Sequence, residues 1–114
     1  MKNHILKLPE SYSFEKVGIK GKKFSVAEIT QRTGVCQIET ERGHDTTIVE
    51  HKCDFIYYIL DGEGHFIIDG QNENCQKGDL VVIPADSKFR YAGKLKMLLI
   101  TTPDFYPEQE ETLK

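Results

Sequence analysis

The chain has 114 residues, enough for one compact domain and too few for two. Its 15 Lys+Arg against 18 Asp+Glu leave a formal charge of −3, so it lacks the positive field that nucleic acid demands. With 39% hydrophobic and 29% charged residues it is neither a disordered acidic chain nor one with an apolar run of the roughly 18 residues a membrane span requires.

Met1-Lys2-Asn3-His4 lacks the long apolar stretch of a secretory leader, so a cytoplasmic protein is expected, with neither nucleic acid nor membrane as partner. The three cysteines, Cys36, Cys53 and Cys75, form no CxxC pair and are odd in number. Reduced thiols acting as small buried hydrophobes are the simplest reading.

In chain order, short strand-like segments follow one another: Phe24–Ile29, Val35–Thr40, Thr46–Glu50, Phe55–Leu60, His65–Asp69, Leu80–Ile83, Lys88–Tyr91 and Lys96–Thr102. Turn signals such as Arg42-Gly43, Asp61-Gly62, Asp69-Gly70, Lys77-Gly78 and Ala92-Gly93 separate them. Strands at this spacing predict an all-β sandwich or barrel. Val35–Thr40 alternates, as a strand with one wet face should, whereas Phe55–Leu60 is apolar or aromatic on both faces. A strand covered on both sides of so small a domain predicts a second copy, so a homodimer is expected, with Tyr58 at its interface. Asp61-Gly62-Glu63-Gly64 reads as a hairpin rather than a phosphate cradle, because no helix follows it. The acidic tail from Pro103 to Lys114 reads as a solvated strap or one helical turn after Pro107.

From Gly43 to Gly93 the residues resemble a cupin, and the whole chain 1–114 is read as a single cupin domain. The family's first motif has Gly43, Val49, His51, Phe55 and Gly62 at its spacing, and the second has Gly78, Pro84, Asp86, Phe89 and Gly93. The resemblance implies a double-stranded β-helix, the jelly-roll barrel. It also implies where a metal would sit, and there this sequence departs from the pattern. The four ligand positions hold Val49, His51, Phe55 and Phe89, three of which have no lone pair to give. No metal and no other cofactor is therefore expected.

If the strands keep the family's phase, Val49, His51, Phe55, Tyr57, Ile59, Phe89 and Tyr91 face inward. That lining suits a small organic ligand, with His51 and Tyr57 as polar contacts and as the candidates for any catalysis. Three rivals stand beside simple binding. One is a metal-free sugar or keto isomerase or epimerase, with His51 moving a proton and Tyr57 or Tyr91 returning one. Another is a metal-dependent oxygenase or isomerase with displaced ligands among His44, Glu50, His51, Cys53, Asp54 and His65. The last is a dimeric scaffold whose barrel Phe55 and Phe89 fill.

Overall fold

A computed structural model describes residues 4–44, 46–104 and 110–113, the last group by backbone only. Its elements are β1 (Phe14–Lys16), β2 (Ile19–Lys23), a 3-10 turn (Val26–Glu28), β3 (Gly34–Thr40), β4 (Thr47–Glu50), β5 (Asp54–Ile68), β6 (Gln71–Gln76), β7 (Leu80–Ile83), β8 (Lys88–Thr102) and β9 (Glu110–Leu113). Every pairing among these strands is antiparallel. The all-β jelly roll that the sequence predicts is the observed fold.

Its spine is a ribbon of β5 and β8, paired from Asp54↔Thr102 to Ile68↔Phe89. The first half of β5 and the second half of β8 lie between β7 and β3, and β2 and β1 extend that sheet. The other halves of the same two strands lie between β6 and β4, with β9 beyond β4. A register shift between Ile59 and Asp61 sits where the ribbon passes from one sheet to the other. A bulge there sharpens local twist, which is what a two-stranded ribbon needs to curl over itself.

Several expected boundaries move. Phe55–Leu60 and His65–Asp69 are one strand, and the expected hairpin at Asp61–Gly64 is its bulged middle. Lys88–Tyr91 and Lys96–Thr102 likewise join through Ala92-Gly93. The expected strand at Phe24–Ile29 is instead the 3-10 turn, and the strand character lies upstream in β2. In the tail, residues 105–109 lie outside the described residues. Glu110–Leu113 pairs with β4, so over these four residues the solvated strap or helical turn gives way to a strand. An open edge on β4 offers N–H and C=O groups that a passing chain can satisfy.

The core follows the alternation. Ile38, Phe55, Tyr57, Ile59, Phe66, Ile83, Phe89, Tyr91 and Met97 are all buried, at 3% exposure or less. Their neighbours Ile56, Tyr58 and Leu98 turn the other way.

Candidate functional site

Register decides which side chains meet inside the barrel. Across the ribbon Tyr57 is opposite Leu99, Phe66 opposite Tyr91, and Ile68 opposite Phe89; directly opposed residues share a face. The rings then pack edge to face, as Phe55 with Phe89 and Tyr57 with Tyr91, or tilted, as Phe66 with Tyr57 and Tyr91. Phe55 and Phe89 lie 5.6 Å apart, Tyr57 and Phe66 5.2 Å, Tyr57 and Tyr91 5.5 Å, and Phe66 and Tyr91 4.9 Å between centroids. Such contacts suit the ring quadrupole and hold each side chain in one rotamer.

His44 joins this cluster from the β3–β4 connection. Gly43 takes φ +115°, and a Cβ there would collide with the Tyr91 carbonyl oxygen, so only glycine allows the approach. Gly43 forms a bridge to Ala92, His44 N donates to Tyr91 O at 3.0 Å, and the imidazole stands 5.7 Å from the Tyr91 ring, edge-on. The side chain is buried, with the residue only 6% exposed. Nδ1 lies 2.7 Å from Thr46 O and 3.3 Å from Thr46 N; the shorter contact needs a proton on Nδ1, and in that tautomer the lone pair is on Nε2.

Beside the rings lies a cavity of about 290 Å³. The N-terminal hairpin (Phe14, Ile19), β3 (Cys36, Ile38), Ile48 of β4, and Phe55, Tyr57 and Leu99 of the ribbon form its apolar walls. Ser13, Lys16, Lys23, Thr101 and Asp104 bring polar groups to it. A largely apolar pocket with a few polar groups is the usual form of a small-molecule site. Tyr57 is the hinge of the arrangement: it lines the cavity and touches the ring that carries on to His44.

Of the residues expected inside, Phe55 and Tyr57 border the cavity, while Ile59, Phe89 and Tyr91 are buried in the cluster. Val49 is buried too, but Ile48 is the residue opposite Phe89, and Val49 shares its face with Lys88. Ile48, not Val49, reaches the cavity. His51 corrects the sequence expectation more sharply. β4 ends at Glu50, so alternation stops before it, and the exposed His51 ring lies with Nδ1 2.8 Å from Asp86 Oδ1. It ties the β4–β5 connection to the β7–β8 connection, away from the barrel interior. His44 is the histidine among the rings, and the sequence cue for it was Gly43, whose close approach only the tertiary structure reveals.

The residues considered for a displaced metal site are taken up in other contacts. Glu50 is buried and accepts hydrogen bonds from Lys52 N, 3.1 Å to each oxygen, and from Cys53 N. Asp54 Oδ1 accepts from Ala85 N at 2.9 Å. Cys53 Sγ donates to Pro103 O at 3.3 Å. His65 borders an open surface groove with Asn74 and Gln76. Among the described residues, no three His, Cys, Asp or Glu side chains gather as a metal would require. At the cupin metal positions two packed phenyl rings and an outward histidine do not fit a divalent ion.

A family model described as "Ethanolamine utilisation protein EutQ" matches residues 30–107. Among solved structures, the chain is similar to a histidine-to-glutamine variant of Streptomyces Pac13 with uridine: 22% identity, 99% of this chain and 92% of that one, TM-score 0.90. Pac13 is described as a nucleoside dehydratase, and two of its tyrosine-to-phenylalanine variants also match with uridine. The Clostridium difficile EutQ protein matches at 26% identity over 80% of this chain and 66% of that one, TM-score 0.67. KdgF from Halomonas sp. matches at 16% identity over 87% and 90%, TM-score 0.70. No curated protein matches the sequence.

Proposed function

This chain belongs to the EutQ family of cupins, and from that premise we propose that it binds a small, ring-bearing organic molecule in the cavity beside Tyr57. The observation that carries the reading is the cavity itself, about 290 Å³ with aromatic and aliphatic walls inside a barrel whose rings are otherwise close-packed. Burying apolar ligand surface there yields about 25 cal/mol per Å² before the costs of immobilisation. Ethanolamine, the compound in the family's description, has no ring to lay on these walls and serves as a control.

The test uses uridine and indole as probes in ligand-detected NMR and isothermal titration. At least one should bind saturably. Leu99→Phe, which fills the cavity from its wall, should weaken that binding about tenfold or more while circular dichroism stays unchanged. Binding of neither probe, or binding indifferent to Leu99→Phe, overturns the reading.

A second reading, acid–base catalysis without a metal, is favoured by the contact of His44 with Tyr91 and of Tyr91 with Tyr57. The imidazole would take a proton from carbon at Nε2. A phenol would give one to an oxygen, leading to isomerisation or, where that oxygen leaves as water, to elimination. The Pac13 variants with uridine, which alter one histidine and two tyrosines of that protein, lend support to this division of labour. His44→Gln should then lower turnover by about 10²–10⁴ and change ligand affinity far less.

The dimer belongs to the same proposal. The outer face of the first sheet carries two cross-strand rows, Leu80–Tyr58–Leu98–Gln37 and Val82–Ile56–Ile100–Val35. Leu80 is 58% exposed and Val82 55%. Seven of these eight residues are apolar or aromatic and none is charged, so a second copy can lie on the face without like-charge repulsion.

A further inference from the structure

The outer face of the first sheet holds a third row beside the two apolar ones. Across the strands the register reads Glu15–Lys20–Glu39–Lys96–Asp61, so charge alternates in sign from β1 to β5. Lys96 and Asp61 are exposed, and each lies on a strand of the apolar block: Lys96 precedes Leu98 and Ile100 on β8, and Asp61 follows Ile56 and Tyr58 on β5. On the far side of the block the same two strands carry Thr102 and Asp54, again opposite each other. Within one copy Lys96 Nζ lies 3.9 Å from Glu39 Oε1, too long for a hydrogen bond, and its side chain stays 46% exposed. Charge that remains open to solvent can meet a second surface.

Symmetry turns these positions into a choice. A dimer built on one face is two-fold, with its axis lying in the interface, and stacked sheets keep their strands within about 30° of each other. The axis therefore runs along the strands or across them. The apolar block is four strands wide, β3, β8, β5 and β7, and its midline falls between β8 and β5. An axis across the strands exchanges the two apolar rows and lays Asp61 of one copy over the partner's Asp54, carboxylate against carboxylate. An axis along the strands on the midline instead exchanges β8 with β5. It lays Leu98 over the partner's Tyr58, Ile100 over the partner's Ile56, and Lys96 over the partner's Asp61. Like charges opposed across a contact are costly, and opposite charges fix its register.

We propose that two copies meet about an axis along the strands between β8 and β5, with Lys96 of each facing Asp61 of the other as the pairs that set the register. This arrangement rests on the reading of the face as a dimer interface and adds which residues oppose which. A second copy of this chain is the partner it selects, because the apolar block is its own complement under that axis and the charged row supplies both members of each pair. By symmetry the pair occurs twice, so one substitution changes two contacts. The apolar rows carry most of the affinity, while ion pairs exposed at the rim act on register more than on strength.

The experiment uses two charge reversals, Lys96→Asp and Asp61→Lys, with folding checked by circular dichroism and association by sedimentation equilibrium. Alone, Lys96→Asp opposes carboxylates twice and Asp61→Lys opposes ammonium groups twice, so each should raise the dimer dissociation constant about tenfold or more. Mixed in equal amounts, the two variants should form a heterodimer within about threefold of the parent affinity, since each then supplies the charge the other lacks. Weakened association in both without recovery on mixing overturns the register, and so does parental affinity in either variant alone. A monomeric parent overturns the dimer reading and the register with it. Where a reversal folds poorly, the unmodified protein serves: carbodiimide coupling of isotope-labelled and unlabelled copies should join Lys96 of one to Asp61 of the other. A coupled dimer joined only at other residues overturns the register.

Discussion

Burial pushes the Cys36 thiol up from its ordinary value of 9.0 to about 11. It also pushes the Cys53 thiol up to about 12, with Glu50 adding to the effect. Below pH 9 these thiols are protonated folded or unfolded, and their contribution to stability is constant. Above it the unfolded chain loses protons that the folded chain keeps, so stability falls as pH rises from about 9 toward 11 and 12. The urea midpoint should therefore decline over this range, and decline less in a Cys36→Ala, Cys53→Ala double variant. At pH 8 the native protein should react with a thiol reagent on the order of a hundredfold more slowly than the unfolded chain. The thiols' character as buried hydrophobes was legible in the sequence, because burial follows from residue type. The place of His44 was not: a histidine after a glycine in a loop has no periodicity to point it anywhere.

Gly62 shows how one element bends. It sits just after the bulge of β5 with φ +91°, where a Cβ would collide with the Lys94 carbonyl oxygen. Gly70, in the β5–β6 turn, has φ +84° and open space around it. Gly62→Ala should cost about 2–3 kcal/mol and Gly70→Ala about 1 kcal/mol, both read from urea unfolding. The difference isolates the collision, since both share the left-handed backbone; equal costs would refute the structural role given to the bulge. Glycines in Asp61–Gly64 and at Gly93 read as turns in the sequence because turns use them most often. In the structure they serve a continuous strand that must twist sharply. β6 was missed for another reason. Gln71–Gln76 is polar apart from Cys75, and pairing with β5 makes it a strand where propensity and pattern are silent.

At the scale of the molecule, the outer face of the first sheet sets the prediction. Light scattering coupled to size exclusion should find twice the chain mass at micromolar concentration. Tyr58→Lys with Leu80→Glu, at exposed positions that face each other across β5 and β7, should yield a folded monomer. A monomeric parent protein would refute the dimer without touching the cavity. The face was foreseeable because Phe55–Leu60 is apolar on both sides, and the structure adds the neighbouring strands that turn one doubly apolar segment into two continuous rows.

What the sequence determined by itself was the class of fold and the residues that stand at the cupin motif positions, Val49, His51, Phe55 and Phe89, because both rest on the order and chemistry of residues along the chain. Tertiary structure decided which side chains meet. It put His44 against Tyr91, turned His51 outward to Asp86, set Ile48 rather than Val49 at the cavity, and brought Asp104 across to Lys23 and Gly34. The physical reason is that each of these contacts joins segments far apart in the chain. Their alignment depends on where strands end and bulge, and those irregularities arise from pairing and packing rather than from local pattern.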